Sequence, residues 1–390
     1  MTNSMTHVQQ RSAIQLENTL AEISKFEVED GVTEFHVMIH ATHPEQTFQE
    51  QLDSVLNTYY NLLETELKGA SSVIKRYFLS DAANQYEALL SSVPEAPACA
   101  CSVVEQAPLN GTKIALWAYL QTGVGAGSFD NGLYKVQHGG YTHLWGGTAV
   151  SHAETSEQQT SLLLKEYTMQ LLSNGGKLAD NCIRTWFFVQ NVDVNYAGVV
   201  KARNEEFYTQ NLTSQTHFIS STGINGRNAD PKVLVQLDTY AVLGLDVKQQ
   251  IKFLYAPTHL NPTYEYGVSF ERGTSVEYGD RRQVFISGTA SIDNKGNVLH
   301  MGNIRQQTER MWENVEALLT EADCGFEDVG QMIVYLRDTA DYAVVNRMFE
   351  ERFPGVPKVI VHAPVCRPGW LIEMECMATK AVHNETFKPF

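Results

Sequence analysis

The chain has 390 residues, 43% hydrophobic and 19% charged, and carries a formal net charge of −16. That length allows two or three domains with a substantial core, and the acidity speaks against a grip on nucleic acid or an anionic membrane, which needs clustered Lys and Arg. Six scattered cysteines without a CxxC, and an N-terminus with no apolar or basic run, give the expectation of a cytoplasmic protein with reduced thiols, no leader and no membrane span.

Residues 1–32 read as a polar N-terminal extension with a helix over Ala13–Ile23. From residue 33 one succession of elements occurs three times. In the first unit (33–122), Glu34–His40 alternates as a strand, and Thr47-Phe48-Gln49-Glu50 is a capping box opening a helix whose apolar positions follow helical spacing. Strand Ser72–Leu79, helix Asn84–Leu90 and closing strands Ala98–Val104 and Lys113–Leu120 complete it. The glycine-rich run Gly123–Gly140 reads as a linker.

The second unit (140–245) has a strand at Thr142–Val150, then a helix opened by a second box, Ser156 to Gln159. Strand Ile183–Gln190, helix Tyr196–Gln210 and closing strands Phe218–Gly223 and Val233–Val242 follow. The third (267–382) has Gln283–Ile292, helix Ile304–Thr320, strand Gln331–Leu336, helix Tyr342–Phe353 and a closing strand pair. The second helices open alike, with NYAGVVKARNEEF from Asn195 and DYAVVNRMFEERF from Asp341. The class is α+β. Helices cover one sheet face in each unit, so the three uncovered faces are expected to pack together around an approximate threefold axis.

The stretch Val356–Ala378 closes the third unit. In its second strand Leu371, Glu373, Glu375 and Met377 share one face at period two, whereas Ile372, Met374, Cys376 and Ala378 share the core face. Two carboxylates on one face make Glu373 the candidate acid, because a like charge and burial both raise a carboxyl pKa; a salt-bridged interface residue is the alternative. Composition alone makes Cys366, seven residues earlier, an inert buried thiol. No HExxH or paired-histidine spacing points to a metal, and nothing points to a cofactor.

The three units resemble the Rid (YjgF-like, endoribonuclease L-PSP) superfamily over residues 33–382, here as a single-chain pseudo-trimer, sheets inside and helices outside. The third unit and parts of the second resemble its chorismatase branch. The residues carrying this are Ser287-Gly288-Thr289-Ala290-Ser291, Gln307-Thr308, CRPGWLIEMEC from Cys366, Arg184-Thr185-Trp186, the Asn204–Tyr208 helix and Ser221-Thr222-Gly223. The resemblance implies a cofactor-independent monomeric enzyme that releases pyruvate from chorismate or a related enolpyruvyl ether, with a hydroxybenzoate or dihydrodiol product. Glu373 would be the general acid and Cys366 would shape the product. Arg184, Arg367, Arg203 and Arg227 would hold the carboxylates, and Thr222, Gly223, Tyr208 and Gly288 would line the site.

One departure bears on the other branches. Rid deaminases use an arginine on the first closing strand, where the units here have Cys99, no arginine within Thr216–Gly223, and Val359. Their glutamate position reads Ala115, Gln236 and Glu373, so one working cleft per chain is expected. The rival readings are a Rid-type enamine or imine deaminase, and a non-catalytic binder of small aromatic or keto acids on the same scaffold.

Overall fold

The computed structural model describes residues 7–93, 98–125 and 127–390. Among them the strands form three six-stranded sheets. The first contains β1 (His7–Gln15), β2 (Thr19–Val28), β3 (Thr33–Ala41), β4 (Ser71–Leu79), β5 (Ala100–Glu105) and β6 (Ile114–Thr122). The second contains β7 (Ser128–Asp130), β8 (Leu133–His138), β9 (Tyr141–Val150), β10 (Cys182–Val189), β11 (Ser220–Asn225) and β12 (Val235–Leu243). The third contains β13 (Ile251–Leu254), β14 (Gly273–Glu277), β15 (Arg281–Ala290), β16 (Val329–Leu336), β17 (Lys358–His362) and β18 (Ile372–Ala381).

One spatial order recurs in all three: β1-β2-β3-β6-β4-β5, β7-β8-β9-β12-β10-β11 and β13-β14-β15-β18-β16-β17. In each, only the last two strands run parallel. Each sheet carries two long helices: Phe48–Glu64 and Ala82–Ser92, Ser156–Ser173 and Val192–Thr209, Ile304–Glu321 and Tyr342–Arg352. The first shows how sequence makes the layer. Thr47 and Glu50 cap it reciprocally, and Leu52, Val55, Leu56, Tyr59 and Leu62 form the buried stripe against the sheet. A central cluster containing Trp117, Trp145, Trp186 and Phe285 joins the inner faces of the three sheets.

Three local expectations need correcting. Residues 13–23 are not a helix. They fall in β1 and β2, an antiparallel pair that extends the first sheet, and Arg11 anchors β1 by donating to the carbonyls of Phe326, Glu327 and Val329. Gly123–Gly140 is not a plain linker. Apart from residue 126, which lies outside the described residues, it includes β7 and β8, joined by a turn at Asn131 and Gly132 with φ of 48° and 82°. The cap of Ser156–Ser173 is Thr155, whose side chain accepts from the Gln158 amide.

The units are stitched at their closing strands. Glu105 bridges to Arg227, Ile224 to Val365, and Val361 to Pro108, one backbone bridge for each of the three seams. No described helix is long and apolar enough to cross a membrane.

Candidate functional site

A cavity of about 500 Å³ opens at the seam between the second and third units, a size typical of small-molecule sites. Helix Val192–Thr209 and β11 of the second unit form one side. The other side comes from β15, β18 and the loop Cys366–Trp370 of the third.

Glu373 sits at the second position of β18, opposite Ala290 on β15 and Tyr335 on β16. The β15–β18 register slips between Ile286 and Thr289, a bulge that interrupts the ladder next to the carboxyl. Gly288 lies in that bulge, where a methyl group would overlap Glu373 Oε1 and crowd Thr222. Gly288→Ala is therefore expected to displace the carboxyl and to lower any activity that depends on it by about 10- to 100-fold, with the melting temperature little changed; kinetics beside a thermal melt check this.

Burial, reinforced by the Glu375 carboxylate, pushes the Glu373 carboxyl up to about 8, against the opposing pull of Arg184 and Arg272. It is a neutral acid at pH 7. Burial likewise pushes the neighbouring Cys366 thiol up to about 12, so it stays S–H. The corresponding second positions of β6 and β12 hold Ala115 and Gln236, both buried. Gln236 Oε1 accepts from Asn228 Nδ2 at 3.1 Å, so neither position offers a proton donor.

The arginines separate into two sets. Arg203, Arg272 and Arg367 line the cavity, and no carboxylate pairs with them among the described residues. Arg203 is 1% exposed; its Nε and Nη2 have no acceptor among the described residues, and its guanidinium lies 5.8 Å from the rings of both Phe187 and Phe270. Arg272 leans on Asn261, donating to its carbonyl at 3.0 Å and to Oδ1 at 3.1 Å. Three cations beside a neutral acid leave a surplus positive charge that an anionic ligand would balance.

Arg184 does not line the cavity. Its Nη2 lies 2.8 Å from Glu375 Oε2 and also donates to Thr222, while Trp186 Nε1 holds Glu375 Oε1 at 2.7 Å. Arg76 of the first unit approaches the same carboxylate at 3.8 Å and donates to Asp238 at 2.9 Å. Thr222 stands behind the wall as a relay: it donates to Glu375 and accepts from the Gly288 amide at 2.9 Å. Gly223 and Cys366 line the cavity. Arg227 lies at the first–second seam, 3.7 Å from Glu105, and Tyr208 is 77% exposed; both stand outside it.

Sequence reasoning missed Arg272, Tyr266, Tyr196 and Trp370, which also line the cavity. Gln307 pins the loop that carries Trp370, donating to the Gly369 carbonyl at 2.9 Å and accepting from the Leu371 amide at 2.9 Å. The third–first seam has a smaller hollow of about 320 Å³. There Lys358 is already neutralised by Glu22 at 3.4 Å and Glu350 at 2.9 Å, and no arginine lines it. No group of three or more His, Cys, Asp or Glu among the described residues is arranged to hold a metal.

Comparison with known proteins agrees with this fold. The fold is similar to that of a chorismatase, with a TM-score of 0.63 and 17% identity over 79% of this chain and 93% of the other. The endoribonuclease L-PSP family model matches residues 274–380. A RutC family protein of Pyrococcus abyssi is 36% identical over 99 residues, 25% of this chain and 78% of its own length. The 3-aminoacrylate deaminase RutC of Acinetobacter baylyi is 31% identical over 97 residues, 24% of this chain and 77% of its own. Three repeats of one strand order, the family-model match within the third of them, and 36% identity over 78% of the length of a RutC family protein make this chain a member of the Rid (YjgF-like, endoribonuclease L-PSP) family.

Proposed function

We propose that the chain is a cofactor-independent, chorismatase-like enzyme that releases pyruvate from chorismate or a closely related enolpyruvyl ether. The observation that carries this reading is one neutral buried carboxylic acid, Glu373, in a cavity with three arginines that have no carboxylate partner among the described residues. Such a site suits a small dianion that must be protonated at carbon.

Arg203, Arg272 and Arg367 take the two carboxylates of the substrate, and Glu373 gives its proton to the vinyl methylene. The electron pair of the C=C bond forms the new C–H bond and leaves an oxocarbenium ion beside the glutamate anion just produced. Water adds to that carbon and returns a proton to Glu373. The hemiketal then collapses to pyruvate and the ring alcohol. Capture by a ring hydroxyl instead leads towards a hydroxybenzoate, and Cys366, a protonated thiol against the cavity wall, limits which nucleophile reaches the cation.

The acid must be protonated in the free enzyme. With Glu373 at about 8, kcat/KM is expected to hold on the acid side and to fall about tenfold per pH unit above roughly pH 8. A pH–rate profile measures this; a profile that falls through pH 5 instead, as for an ordinary carboxylate, would rule out the role.

The RutC relatives favour a second reading, deamination of an enamine or imine acid. Against it, β11, the strand facing this cavity, carries no arginine. Parallel assays with chorismate and with 2-aminoacrylate, each in the wild type and Glu373→Gln, distinguish the two.

A further inference from the structure

One wall of the cavity belongs to neither closing strand pair. It is the connection between β13 and β14 of the third sheet, which contributes Tyr266, Val268, Phe270 and Arg272. Two features fix it. A short helical turn, Thr263–Tyr266, ends at Gly267, whose φ of 83° suits a residue without a side chain. Asn204, on helix Val192–Thr209, then latches it, donating through Nδ2 to the Gly267 carbonyl at 2.9 Å and accepting from the Ser269 hydroxyl.

The Tyr266 ring is the contact that two of the cavity arginines share. The guanidinium of Arg272, from the segment itself, lies 5.5 Å from the ring centre, and that of Arg367, from the Cys366–Trp370 loop, lies 4.7 Å from it. Arg367 also packs 5.1 Å from the Trp370 ring. Without a carboxylate between them the two cations repel, and the electron-rich ring face offsets part of that repulsion. A planar, rotamer-limited ring therefore holds together two charges from distant parts of the chain.

We propose that Tyr266 is the residue that sets charge specificity at this site: by carrying both guanidiniums on one ring it fixes them as a pair, so that the cavity selects small molecules with two anionic groups over those with one. Asn204 is the positioning residue that keeps the ring in place. This rests on reading the cavity as an anion site, and not on turnover.

The test is calorimetric titration of the full chain with isophthalate as the dianion and benzoate as the monoanion of the same ring, with chorismate added in the Glu373→Gln background. The wild type is expected to bind isophthalate on the order of tenfold more tightly than benzoate. Tyr266→Leu should reduce that ratio to below about threefold, and Tyr266→Phe, which keeps the ring, should recover it. Asn204→Ala lowers the ratio by an independent route, leaving both guanidiniums and the ring intact, and stands in if the leucine variant melts early. A wild type with no dianion preference, or a ratio unmoved in both Tyr266→Leu and Asn204→Ala, overturns the proposal. Loss of the ratio in the variants, with chorismate left intact by the wild-type chain in a separate pyruvate assay, leaves the pairing standing and removes the proposed reaction; wild-type cleavage with an unmoved ratio does the reverse.

Discussion

Replacing Glu373 by Gln is expected to lower kcat for pyruvate release by about a thousandfold, while KM or the affinity for chorismate changes by no more than about threefold. The asymmetry follows from the chemistry. The amide occupies the volume of the protonated carboxyl and keeps its neutral charge, so the dianion meets the same three arginines. What it lacks is a proton that can leave. Steady-state kinetics with chorismate, together with direct titration of the variant, separates the two quantities. Equal losses in binding and turnover would instead mean that Glu373 holds the seam together, and that the proton comes from elsewhere.

The second large effect is on stability. Arg184→Met is expected to destabilise the chain by about 3–5 kcal/mol, because it leaves the Glu375 carboxylate buried without its nearest cation. Arg184 is 2% exposed, and Glu375 is 2% exposed with Arg76 only at 3.8 Å. Trp186 and Thr222 still donate to the carboxylate, but neutral donors do not replace a charge. Adding Glu375→Leu to Arg184→Met should restore most of the loss, since a pair of apolar side chains of similar volume has no unpaired charge to bury. Denaturant unfolding of the wild type, the single and the double variants measures both. A single variant as stable as the wild type would mean that Arg76 alone neutralises Glu375.

The repeated architecture was legible because the second and third units write their second helices alike: NYAGVVKARNEEF lies within helix Val192–Thr209, and DYAVVNRMFEERF runs from the cap residue Asp341 of helix Tyr342–Arg352. Glu373 was legible too, because period-two alternation in β18 placed two carboxylates on a face where a packed strand has apolar groups. The first hairpin was not. In β2, Ala21, Ile23 and Phe26 are buried, but so are Glu22 and Ser24, with Glu22 paired to Lys358 of the third unit. The apolar residues change face at Lys25, Ala21 and Ile23 on one side and Phe26 and Val28 on the other, so the alternation breaks, and Ala13, Leu16, Leu20 and Ile23 fall at helical spacing.

The arginines illustrate the same limit at the site. Arg184 beside Trp186 looked like a ligand-facing guanidinium, yet its charge is neutralised by a glutamate 191 residues further along the chain. Sequence spacing contains no trace of that pairing. Arg272 was missed for the converse reason: Glu271-Arg272-Gly273 falls outside any periodic element, and only the crossing of the β13–β14 connection over helix Val192–Thr209 brings it to Glu373.

The most direct measurement is the wild-type chain mixed with chorismate at pH 7, with pyruvate quantified over time beside a parallel reaction with 2-aminoacrylate. Steady pyruvate production from chorismate, absent from the Glu373→Gln chain, is the predicted result. Ammonia released from 2-aminoacrylate while chorismate stays intact would contradict it.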